Sequence, residues 1–267
     1  MSSVMNSPRP LRIFTLELRN ELLKLVRMPA FAVPALCFPW MFYVLFGLVL
    51  PTGRAAMAAG SAMSKYLLAT YGVFGVLGVS LFSLGAAMAI ERGQGWESVR
   101  RAMPSAPALH LGARLVVASL FGLAVMLGLC VLGAAFGGVR LPTASWALLL
   151  LIVALCAIPF GAVGLAVGQM LGPNSAAGLI NAIYLPMSFL SGLWIPLQVL
   201  PKFLQTMAPI WPSFHASQLT LRAVGGSFGG SVTESAGVAI AALVATSVVG
   251  FSVAILLSRR AAAQTWG

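Results

Sequence analysis

The chain has 267 residues, 60% of them hydrophobic and only 8% charged, against roughly 25% charged in soluble domains. That deficit points to lipid as the solvent, and no polar stretch is long enough to build a second core in water. The formal net charge of +11 comes without a basic stripe interleaved with aromatics and without a reader motif, which excludes nucleic acid as the partner and leaves membrane orientation and anionic lipid as the reason for the basic residues.

Residues Met1 to Arg27 are polar and charged. A cleavable signal with a short apolar core is therefore not expected, and the first long apolar run must itself direct insertion. Inside this segment Leu11, Phe14, Leu18, Leu22 and Leu25 recur every three or four residues, with Glu17, Asn20, Lys24 and Arg27 largely opposite. This predicts an amphipathic helix lying in the membrane interface, within a region 1–29. A plain cytoplasmic extension of the first span is the alternative, and Pro29 and Pro34 favour a break.

A span needs about 20 apolar residues, because a helix rises about 1.5 Å per residue through a hydrocarbon core about 30 Å thick. Six runs qualify, at about 30–50, 66–90, 115–136, 146–171, 176–195 and 236–257, forming one six-helix membrane region 30–257 before a short tail, 258–267. None carries Asp, Glu, Lys, Arg or His. The N-terminal segment, the loop after the second run and the tail together hold eleven Lys and Arg residues, while the other side holds five: Arg54, Lys65, Arg140, Lys202 and Arg222. The bias predicts a multi-pass inner-membrane protein with both termini in the cytoplasm.

Gly164, Gly168 and Gly172 repeat every four residues and predict a close helix approach. Pro34, Pro39, Pro159 and Pro186 should kink their spans. From Pro196 to Pro212, prolines cut an apolar stretch into pieces too short to cross, so an outer re-entrant or interfacial hairpin is expected before the last span, or else a plain outer loop. Cys37, Cys130 and Cys156 sit in apolar runs without metal-ligand spacing and read as small packing residues.

No H-E-x-x-H or G-x-S-x-G sequence is present, and His110 and His215 fall in predicted loops. None of Lys24, Lys65 and Lys202 follows a glycine-rich phosphate loop. Catalysis by this chain is not expected, and no cofactor or metal is predicted in it. Between the second and third runs, Gly93 and Gly95 break the helix, Trp96, Val99 and Met103 recur at helical spacing, and Pro104 ends the piece. A short amphipathic helix results, facing the cytoplasm or lying flat on lipid.

The stretch beginning Glu91-Arg92, with Gly95 and Pro104, resembles the coupling helix of type-2 exporter permeases, the membrane subunits of ATP-binding-cassette transporters. Ser191-Gly192-Leu193-Trp194-Ile195-Pro196, Leu200-Pro201 and Ala208-Pro209-Ile210-Trp211-Pro212 resemble that family's segment before the last span. The order of elements agrees over nearly the whole chain. The resemblance implies an all-α integral membrane protein of six transmembrane helices, paired with a second permease copy or a related chain, and served by two cytosolic ATPase subunits that supply ATP and Mg. It makes Glu91, Arg92, Trp96, Glu97, Val99, Arg100, Arg101 and Met103 candidates for ATPase coupling. It also suggests that the second and fifth spans face the dimer centre, with Phe74, Phe82, Asn181, Met187 and Ser188 as candidates for contact with substrate or the opposing protomer. Tyrosine is scarce, with four residues, which favours a hydrophobic or amphipathic cargo, a drug, lipid or similar, over a glycan. A self-powered secondary transporter and a non-transporting membrane scaffold are the competing classes.

Overall fold

The computed structural model describes residues 10–27, 29–50, 62–96, 99, 107–226 and 232–264, and among them every regular element is helical. Helix α1 is Pro10–Val26 and α2 is Pro29–Phe42, which widens into π-helical turns over Tyr43–Val49. Helix α3 runs from Ala62 to Gly93 as one rod, interrupted only by a π-turn at Phe82–Ala86. Then come α4 (Pro107–Ala135), α5 (Thr143–Met170), α6 (Ala176–Leu190), α7 (Lys202–Met207), α8 (Pro212–Ala223) and α9 (Ala236–Gln264).

Five helices among the described residues are long and apolar enough to cross a membrane: α2 with its π extension, α3, α4, α5 and α9. The fifth predicted run, 176–195, is helical only over Ala176–Leu190. Gly192 then adopts φ +74°, a left-handed conformation that ends the helix. Fifteen residues of α-helix rise only about 22 Å, short of a full hydrocarbon core. The predicted hairpin over Pro196–Pro212 consists of 3-10 turns at Leu197–Val199 and Ala208–Ile210 with α7 between them. Each proline opens a new piece, because it cannot donate to the turn before it.

Helix α3 is the axis of the bundle. Nearly every residue from Ser64 to Leu81 is buried, and α4, α5, α2 and α8 pack around it, with α9 laid on α5 and α1 on α4. Side chains that pack in lipid gain little from hydrophobic burial, so close backbone approach and shape matter more. The predicted glycine ridge supplies that approach. A Cβ on Gly168 would stand 2.6 Å from the Gly85 carbonyl oxygen, and one on Gly164 would stand 3.1 Å from Leu81 Cα. Gly172 lies beyond the end of α5, where a Cβ would meet only Ser175 Oγ at 3.8 Å, so the ridge holds two of the three predicted glycines.

Two differences from the sequence-based reading bear on function. Helix α4 begins at Pro107, eight residues before the apolar run, so His110 and Arg114 are buried helical residues rather than loop residues. Helix α8 buries Ser213, His215, Ser217, Gln218 and Thr220 against α3, α5 and α9, where a loop with His215 was expected. Its alternation of small polar side chains satisfies hydrogen bonds locally, as Ser217 and Thr220 do to Phe214 and Ser217 carbonyls, so apolar run length could not reveal it.

Gly168→Val should force α3 and α5 apart and lower stability by about 1 to 3 kcal/mol, the usual range for overpacking. Gly172→Val should change little. Thermal unfolding of the detergent-solubilised variants checks the contrast.

Candidate coupling junction and intramembrane cavity

Three of the chain's five acidic residues, Glu17, Glu21 and Glu91, meet in one cluster. Its hub is Arg114, whose side chain is 1% exposed. The Arg114 guanidinium pairs with Glu91 through Nη2 and with Glu21 at 3.4 Å through Nε. Its Nη1 donates to the Ser83 carbonyl at 2.9 Å. Ser83 lies inside the π-turn of α3. Lys24 Nζ bridges Glu21 at 3.0 Å and Glu91 at 2.5 Å, and His110 Nδ1 lies 3.1 Å from Glu17 Oε2. Planar guanidinium geometry suits this task, since one rigid fork addresses three elements at once.

The sequence placed Glu17 and Lys24 on the wet side of α1. In the fold, Glu17 and Glu21 lie with Phe14, Leu18 and Leu25 on the inward face, because Arg114 and His110 of α4 offer them partners. A buried carboxylate is stable only when so paired.

Arg92 adds a second tie. It donates to Gln169 Oε1 at 2.9 Å and to the Gly168 and Leu171 carbonyls at 3.0 and 2.7 Å. These are orphan acceptors at the C-terminus of α5, where a cation also complements the helix dipole. A Cβ on Gly93 would stand 2.5 Å from Pro173, so the end of α3 lies flush against the turn between α5 and α6. Beyond it Gly95 takes φ 81° and turns the chain. Trp96 and Val99 follow, 53% and 50% exposed. Glu97, Arg100, Arg101 and Met103 lie outside the described residues.

The predicted pathway residues separate into two groups. Phe74, Phe82 and Asn181 line one cavity of about 230 Å³, together with Phe38, Gly78 and Tyr184. Phe74 stacks on Tyr184 with centroids 5.1 Å apart, and Phe82 meets the same ring edge-on at 6.0 Å. Gly78 leaves room for that ring, since a Cβ there would lie 3.0 Å from Tyr184 Oη. Met187 and Ser188 are buried nearer the C-terminal end of α6 and are not among the residues that line this cavity. Ser188 donates to the Tyr184 carbonyl, and Met187 borders a separate groove beside α9.

Toward the opposite end, His215 Nδ1 faces Glu234 at 2.8 Å and Nε2 faces the Pro209 carbonyl at 2.9 Å. Arg222 donates to the Glu234 carbonyl oxygen. This tie fixes α8 to the segments on either side of it, and neither pairing was visible from spacing in the sequence.

A family model described as "ABC-2 family transporter protein" matches residues 50–256. The chain belongs to this family. The ABC-2 match takes in every helix from α3 to α8 and most of α9. The chain is also 29% identical over 195 residues to "Putative transport permease YvfS" of Bacillus subtilis (strain 168), an alignment that spans 73% of this chain and 78% of that relative. As an ABC-2 permease the chain is a multi-pass membrane subunit of a transporter. Its cavity and its charged junction lie on the same helix, α3.

Arg114→Met should leave two buried carboxylates without their main partner and cost about 3 to 5 kcal/mol. Adding Glu21→Gln and Glu91→Gln to it should recover part of the loss, because removing a whole buried ionic group is far less costly than breaking it. Unfolding temperatures of the single and triple variants in detergent check both expectations.

Proposed function

We propose that this chain is the permease half of an ATP-binding-cassette exporter, moving a hydrophobic or amphipathic substrate with ATP and Mg used by separate cytosolic ATPase subunits. The observation that carries the reading is the continuity of α3. The helix walls the cavity with Phe74 and Phe82 and ends, about two turns beyond the π-turn, at Glu91 and Arg92. The exposed Trp96 and Val99 follow immediately. A chain that does not hydrolyse ATP must receive work through a surface open to the cytoplasm. Tryptophan is among the residue types that most often anchor protein interfaces.

In this reading Trp96, Val99 and Met103 enter a groove of the ATPase, with Glu97, Arg100 and Arg101 at its polar rim. Glu91 and Arg92 have a different task from the one the resemblance assigned: they fasten the coupling segment to α1, α4 and α5. Helix α6 acts as the fifth of six spans, completed by the turn that follows it, and the pieces over Pro196–Pro212 form an outer hairpin. Both termini then lie in the cytoplasm at the inner membrane. Helix α6 exposes Leu179, Leu185 and Phe189, and a second permease copy against this face would close the cavity. Aromatic rings and one amide at the cavity wall suit an amphipathic cargo, and among the described residues that line it there is no carboxylate, which disfavours ion coupling there.

Trp96→Ala should weaken capture of the ATPase by about 1 to 3 kcal/mol while leaving membrane insertion unchanged. Phe82→Ala and Asn181→Leu should instead lower substrate transport without weakening capture. Pull-down of the ATPase, with ATP-driven uptake into inverted vesicles, separates the two effects. Unchanged capture and transport in all three variants, or transport driven by an ion gradient without ATP, would overturn the reading.

A further inference from the structure

The charges of α1 are sorted by sign. Both acidic residues point inward, Glu21 to Arg114 and Lys24, and Glu17 to His110. The arginines Arg12, Arg19 and Arg27 all point outward and are exposed. At 100° per residue, Arg12 and Arg19 fall within about 20° of one line, and Leu16, Leu23, Val26 and Arg27 flank that line within about 60°. Leu16, Leu23 and Val26 are exposed large apolar side chains. The outward face is thus a stripe of alternating guanidinium and branched aliphatic groups, and no acidic residue stands on it.

We infer that the outward face of α1 is a docking surface for anionic phospholipid headgroups. The inference rests on the membrane placement proposed above and adds a specific ligand chemistry to it. Charge complementarity selects the occupant: three guanidinium groups match phosphodiester oxygens, each offering a planar fork to an oxyanion. The aliphatic groups between them enter the acyl boundary, and the arginine stems lie along it while their heads reach the phosphates. An acidic protein surface would satisfy the arginines but would bury Leu16, Leu23 and Val26 against polar groups.

The placement has a consequence for control. Through Glu21, Arg114 and Glu91 the inward face of α1 is fastened to the end of α3, four residues before Gly95 and five before the exposed Trp96. Lipid charge that holds α1 down therefore also holds the base of the coupling segment at a fixed depth.

The test uses the full chain in nanodiscs, without ATPase or substrate, so its outcome is independent of whether the transport reading holds. One set contains phosphatidylcholine alone, the other equal parts phosphatidylcholine and phosphatidylglycerol. Modification of arginine by phenylglyoxal is followed residue by residue with mass spectrometry. In phosphatidylglycerol, Arg12, Arg19 and Arg27 should react more slowly by roughly fivefold each, the ratio that corresponds to about 1 kcal/mol per basic side chain at an anionic surface. High salt should remove the protection, and buried Arg114 should stay unreactive in both. Equal reaction rates in the two lipids, or protection that survives high salt unchanged, would overturn the inference.

Discussion

A buried guanidinium with several partners constrains every element it touches, because none can move without leaving a charge unpaired in a poorly solvated place. Arg114 imposes that constraint here. It joins the N-terminal helix through Glu21, the π-turn of α3 through Ser83, and the end of α3 through Glu91. The chain has only five acidic residues, and three of them are spent at this junction. That concentration says more about its role than any pair taken alone.

The π-turn gives the junction a mechanical meaning. A π-turn adds a residue to one helical turn and rotates the side chains beyond it, and such turns occur often at functional sites. In α3 the turn begins at Phe82, which faces the cavity, and includes Ser83, whose carbonyl Arg114 holds. In the proposed reading, motion entering at the coupling segment would reach the cavity wall through this wide turn, which Arg114 holds at Ser83. The opposite side of the same turn is braced by backbone contact, since Gly85 lies against Gly168 too closely to admit a Cβ. Arg92 closes the arrangement by capping α5. These bonds join α1, the C-terminal part of α3, α4 and α5, while α6 presents exposed apolar side chains.

Much of this was legible in the sequence because it follows from run length and period. Uninterrupted apolar runs mark α2, α3, α4, α5 and α9, the four-residue glycine spacing marks the approach of α5 to α3, and Gly95 marks a break after α3. Phe74, Phe82 and Asn181 were named as pathway candidates and line a common cavity. What escaped was set by tertiary pairing. Arg114 and His110 looked like loop residues because hydropathy ends a span at the first charge, although a paired charge can continue a helix. Glu17 was placed on the wet side of α1 because an amphipathic pattern sorts apolar from polar, not acid from base. Helix α8 has no long apolar run, and α6 ends before Ile195 because Gly192 takes a conformation that apolarity does not encode.

The central claim is that one side chain unites α1 with the end of α3. Hydrogen–deuterium exchange of the full-length protein in nanodiscs tests it most directly, comparing wild type with Arg114→Gln. Amide protection should fall together in residues 10–26 and 87–96, by a common factor of ten or more if the junction contributes at least about 1.4 kcal/mol to the closed state. Residues 143–160 and 236–256 should exchange as in wild type. Loss of protection in only one of the two junction segments, or in neither, would contradict the account.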